Sequence, residues 1–200
     1  MTHPNHLNIY LDNIIEVENL LSIHEKVSGI GRGRKVDVEI LNKSIIVLLV
    51  ACWESFIEVI IEDAFTIMLN SARTHTIFPS SVLTKASKEI RSSKDDREIW
   101  KIAGDGWRQV LTDYKDNLLR NQIDYFHSPK ANNIGELCEN ILGLKNITSH
   151  WSWKGQVLGQ SPKTLNKLIE LRGKIAHKLK AGTPVYKATA ISTSTSSAIF

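Results

Sequence analysis

Ile45 to Trp53 is a nine-residue apolar run set inside a longer helical pattern that extends from about Val36 to Ser71. A helix that is apolar all round at its centre must be covered on nearly all sides, so this segment is expected to be the spine of the fold. A helix that crosses a bilayer needs about 20 apolar residues. The run here is shorter and leads into Glu54, Glu58, Glu62 and Asp63, which fits a buried helix of a soluble, cytoplasmic protein with no membrane partner. The start, MTHPNHLNIYLDN, lacks a basic region followed by an apolar core and so does not read as a secretory signal. Two hundred residues suit one domain with a substantial core, and 42% hydrophobic with 23% charged residues is ordinary for such a domain.

The remaining segments also read as helices, and the expected class is all-α with a long central helix and shorter additional ones. A first helix is expected over His6–Lys26, with Leu7, Tyr10, Leu11, Ile14, Ile15, Leu20 and Leu21 inward. SGIGRGRK contains GxGxG, but no strand precedes it, so it reads as a flexible basic connection rather than a dinucleotide loop. Ser80 or Ser81 can cap a short helix reaching Ile90. Lys94–Ile123 gives one helix or two, because Gly104 and Gly106 weaken its middle. Asn132 or Asn133 caps a helix that stops at Gly143. Ser161-Pro162 supplies an N-cap and a first-turn proline for a last helix running to about Lys180. The helical domain spans 1–187, and 188–200 has low complexity and reads as a disordered tail.

That last helix carries the most pointed chemistry. Apolar residues recur at Leu165, Leu168, Ile169, Ile175, Ala176 and Leu179, and Arg172 sits in the gap of that stripe where a leucine would continue it. A guanidinium facing a core or an interface is costly unless an anion meets it. His177 lies five residues on, displaced by roughly 7.5 Å in rise and about 140° in azimuth. Gly173, four residues before His177, removes a side chain from the same face and would let a ligand or a partner helix come close. Charge points the same way. Between Ser161 and Lys187, seven cations face the single Glu170, a local +6 that leaves −2 for the rest of a chain of net charge +4. Such a focus favours a polyanion such as nucleic acid, although a solvated lysine face produces the same count.

LNKLIELRGKIAHK resembles the Arg-x4-His signature of HEPN domains, helical bundles that commonly act as metal-independent ribonucleases. LNKSIIVLLVACWESFIEVIIEDAF and FHSPKANNIGELCENILGLKNITSHWSW resemble the RiboL-PSP type in particular, and together the resemblance covers roughly residues 38–180. It implies a HEPN-like bundle in which Arg172 and His177 are catalytic, with a homodimer bringing two such sets to one cleft. It implies RNA as substrate, no cofactor and no metal, and the role of a toxin or phage-defence effector with a possible cognate antitoxin. Glu54 is a candidate to orient Arg172, and Lys174 and Lys178 to contact phosphates, with Asn166 a weaker candidate. Gly173 stands where the family often has a polar residue, and Leu179 where some members carry a modified tyrosine. The rival readings are a catalytically silent HEPN module that binds RNA or a partner protein, and a structural bundle in which Arg172 is a paired interface charge.

Other residue types fit blander roles. Cys52 and Cys138 lie inside apolar helical patterns and read as reduced core thiols. His3 and His6 are expected in solvent, and no His, Cys or carboxylate spacing reads as a metal site. Trp151 and Trp153 read as core packing in a compact aromatic connection.

Overall fold

The apolar run becomes the middle of a 33-residue helix, α2 (Glu39–Ser71), in the computed structural model of the chain. The structure describes residues 4–29, 38–123, 126, 128–151, 160–178 and 185. The other helices of the described residues are α1 (Asn5–Ser28), α3 (Ser80–Ser92), α4 (Gly106–Ile123), α5 (Ala131–Leu142) and α6 (Ser161–Lys178), with 3-10 turns at His75–Ile77, Asp96–Ile102 and Ile147–His150. No strand occurs among the described residues, as the all-α expectation requires. IGRGRK, Trp153 and the 188–200 tail lie outside the described residues. Taken over its full length, α2 is long and apolar enough to cross a membrane by length and composition, a test that core helices also pass.

The described residues fall into two compact units, the first within 1–57, 128–131 and 148–200, the second within 58–127 and 132–147. In the first, α2 offers two buried sides. Ile45, Leu49 and Cys52 pack with Val17, Ile14, Leu20 and Leu21 of α1. Ile46 and Val47 pack with Leu168, Leu171 and Ile175 of α6 and with Val185. Asn42 Nδ2 donates to Val185 O at 2.8 Å, tying that residue to the start of α2.

The inner line of α1 is Tyr10, Val17 and His24, one residue every two turns. Leu11 and Ile15, expected inside, are about half exposed, at 48% and 50%. The helix is apolar on more than one face, so its sequence alone does not select the buried one. His6, expected in solvent, is half-buried with its ring 6.0 Å from that of Phe56.

In the second unit, Lys94–Ile123 resolves into a 3-10 turn and α4. Gly104 takes φ +59°, and a Cβ on Gly106 would collide with the Lys101 carbonyl. The two glycines therefore let the turn fold back tightly onto the start of α4. Phe65 packs on Phe78 (5.4 Å between rings), and Phe78 on Trp107 (6.0 Å).

Neither serine caps α3. Pro79 is its N-cap, its carbonyl accepting from Val82 and Leu83 N–H, while Ser81 Oγ donates to Asn140 O. The serine expected to cap α6 behaves similarly: Ser161 is fully buried with its hydroxyl unbonded, and Gln160 O accepts the Thr164 N–H instead. Asn132 and Asn133 lie inside α5, which starts one residue earlier, at Ala131. Cys52 and Cys138 are free and buried. Burial pushes the Cys138 thiol up to about 11, and raises that of Cys52 too, where Sγ donates to Asn13 O.

Candidate functional site

α6 exists because its apolar residues repeat at helical spacing, and its packing fixes which way each polar residue points. Leu165, Ile169 and Ile175 are buried, and Leu168 and Leu171 are half-buried against α2. Ala176, expected in the stripe, is exposed. At about 100° per residue, Arg172 belongs to the same arc as Leu165, Leu168 and Ile169.

Arg172 is half-buried, as its place in the stripe predicts. Its Nε is buried and has no hydrogen-bond partner. No ion pair or hydrogen bond joins it to Glu54, which is half-buried on α2, or to any other described residue. A buried guanidinium nitrogen with nothing to donate to costs free energy of about 1–3 kcal/mol or more. The sequence expectation of an anion for Arg172 is thus unmet within the described chain.

His177 is exposed and points away from the packed face, as does the exposed Lys174. Among the described residues, nothing lies within 4 Å of the place a Cβ on Gly173 would occupy. Lys178 ends α6, and its side chain lies outside the described atoms. The single chain therefore places Arg172 on the packed side of α6 and His177 on its outer side, close to the 140° that helical geometry requires.

The segment before α5 packs beside α6 through contacts that sequence reasoning missed. Asn166 Oδ1 accepts the Ala131 N–H at 2.9 Å, so the side chain considered for RNA contact is engaged in capping α5. Lys130 Nζ lies 3.2 Å from Glu170 Oε1, and Glu170 shares the outer face of α6 with Gly173 and His177. Trp53 Nε1 donates to Pro129 O at 3.4 Å, and the Trp53 ring meets Trp151 edge-on at 5.9 Å. Trp151 is thus a packing residue. These partners are at least 35 residues apart in sequence, so no local pattern announces them. Among the described residues, no group of three or more His, Cys, Asp or Glu is placed to hold a metal ion.

The family model for RiboL-PSP-HEPN matches residues 8–196, nearly the whole chain. No curated protein and no solved structure matches it.

Proposed function

This chain belongs to the RiboL-PSP-HEPN family, and on that premise we propose that it is a metal-independent endoribonuclease. The observation that carries the reading is Arg172, half-buried with an unpartnered Nε in a helix that is otherwise apolar on that side. A phosphate is an anion of the right shape for it, since a guanidinium can donate two parallel hydrogen bonds to phosphate oxygens and stabilise their growing charge.

In the reaction, an RNA 2′-oxygen attacks the adjacent phosphorus and the bond to the 5′-oxygen breaks. A base takes the 2′-proton and an acid gives one to the leaving 5′-oxygen, leaving a 2′,3′-cyclic phosphate and a 5′-hydroxyl. Imidazole suits either role near neutral pH. One His177 cannot easily do both, so a two-fold homodimer supplies the second Arg172–His177 set. The missing side chain at Gly173, with no described residue within 4 Å of its place, lets the partner helix or the RNA backbone approach. Lys174 and Lys178 hold flanking phosphates. Glu54, with no bond to Arg172, has no step in this scheme. A cytoplasmic toxin or phage-defence effector, held in check by a cognate antitoxin, is the biological setting that fits such an activity.

A second reading is a silent module that binds RNA or a partner protein. It is favoured by one observation: His177 is exposed, with no hydrogen bond or ion pair to its ring among the described residues. Incubating the purified protein with total RNA separates the two. Cleavage is expected to persist in EDTA, to leave 2′,3′-cyclic phosphate or its hydrolysis product, and to spare DNA. Loss of activity in EDTA with recovery in Mg²⁺ would contradict the mechanism, and absence of cleavage together with RNA binding would favour the silent module.

A further inference from the structure

The second unit contains a cavity of about 320 Å³ between α3, α4 and the turn Asp96–Ile102. Its walls are hydrocarbon: Leu83 and Ala86 from α3, Ile102 from the turn, and Trp107, Val110 and Leu111 from α4. Polar groups in the lining come from Thr84, Ser87 and Arg91 of α3 and from His75. No carboxylate is among the described lining residues.

Two features indicate that the walls are preformed. Trp107 is held by Arg108, whose guanidinium carbon lies 4.5 Å from the ring centroid. Arg108 is itself fixed by donating to the carbonyls of Leu69 and Ala72. The close approach of Gly106 to the Lys101 carbonyl fixes the turn that carries Ile102. A cavity already shaped before binding loses little ordering entropy when filled.

Arg91 is exposed and makes a single long contact, 3.4 Å to Thr84 O, with no ion pair among the described residues. Its charge is available at the edge of an apolar space. The combination selects for a molecule with an apolar body and a negative head.

We propose that this cavity binds an amphiphilic monoanion, with a hydrocarbon chain against Leu83, Ala86, Val110 and Leu111 and a carboxylate or phosphate head at Arg91. Thr84 lines the same edge, and the Ser87 hydroxyl beside it donates to Thr84 O at 3.2 Å. The proposal is independent of RNA cleavage.

The test is calorimetric titration of the full chain with decanoate, decyl phosphate and, as the neutral control, decanol. Saturable one-to-one binding of at least one anion is expected, and the anion that binds assigns the head group. Arg91→Ala is expected to weaken that anion up to about five-fold, the range of an exposed charge contact, and to leave decanol unchanged. Ser87→Trp, which fills the cavity from its edge, is expected to abolish binding with the thermal midpoint retained. Should that variant unfold, Thr84→Trp repeats the test from an exposed position. Absence of saturable anion binding, anion affinity unchanged in Arg91→Ala, or undiminished binding in a folded tryptophan variant each overturns the proposal.

Discussion

Arg108 in the second unit and Arg172 in the first are both half-buried arginines on helices, yet their surroundings differ in kind. Arg108 donates to Leu69 O and Ala72 O, at the end of α2, and lies over the Trp107 ring. It answers carbonyls that a helix end leaves without partners. Arg172 answers nothing: its Nε is buried and unbonded, and no carboxylate meets its charge among the described residues. Burial with satisfied donors marks an arginine that holds the fold. Burial with an orphaned donor marks one that has no partner among the described residues, the place that the proposed reading gives to a phosphate.

The contrast predicts effects that separate cleanly between activity and stability. Largest is His177→Ala. The side chain is exposed, so its loss is expected to lower RNA cleavage by roughly 10²-fold or more while leaving the thermal midpoint at wild type. Steady-state cleavage and a melting scan on the same sample check both halves, and an unfolded variant would show His177 to be structural. Arg108→Ala is expected to do the reverse. It leaves two carbonyls unanswered and strips a cation from Trp107, so a loss of about 2–3 kcal/mol in urea unfolding is expected, with cleavage per folded molecule unchanged. A drop in activity beyond the unfolded fraction would blur the distinction between the two arginines.

Smaller, and of opposite sign in its two readouts, is Gly173→Ala. The added methyl meets no described residue, and alanine is about 1 kcal/mol better than glycine inside a helix. Stability of the chain is therefore expected to rise by up to that amount. Cleavage is expected to fall if close approach at this point is needed for the partner helix or the RNA backbone. A variant that is more stable and equally active would mean that nothing needs the gap at Gly173.

Features that depend on periodicity were legible in the residues. The long α2, the last helix and the half-buried place of Arg172 all follow from apolar spacing at 3.6 residues per turn. What stayed hidden depends on contacts between distant segments. Leu11 and Ile15 are as apolar as their inward neighbours, and only the packing of Val17 against Ile45 and Leu49 decides which face of α1 is inside. Asn166 looked like a surface amide, and only the arrival of Ala131 beside it turns it into a cap. The serines that open α3 and α6 have the right chemistry for capping, but the carbonyls of the preceding Pro79 and Gln160 accept the first-turn N–H groups instead. Arg108 did leave one unused signal. It is the third residue of α4, where the helix dipole disfavours a cation, so its position there called for a specific acceptor.

Arg172→Ala, assayed for RNA cleavage and thermal stability together, tests the central claim most directly. The half-buried guanidinium is expected to contribute to the reaction and not to the fold. Its removal should reduce cleavage by roughly 10²-fold or more, with a thermal midpoint equal to or above wild type, because an unpaired semi-buried charge has been deleted. Unfolding of the variant, or wild-type cleavage by it, would contradict that assignment.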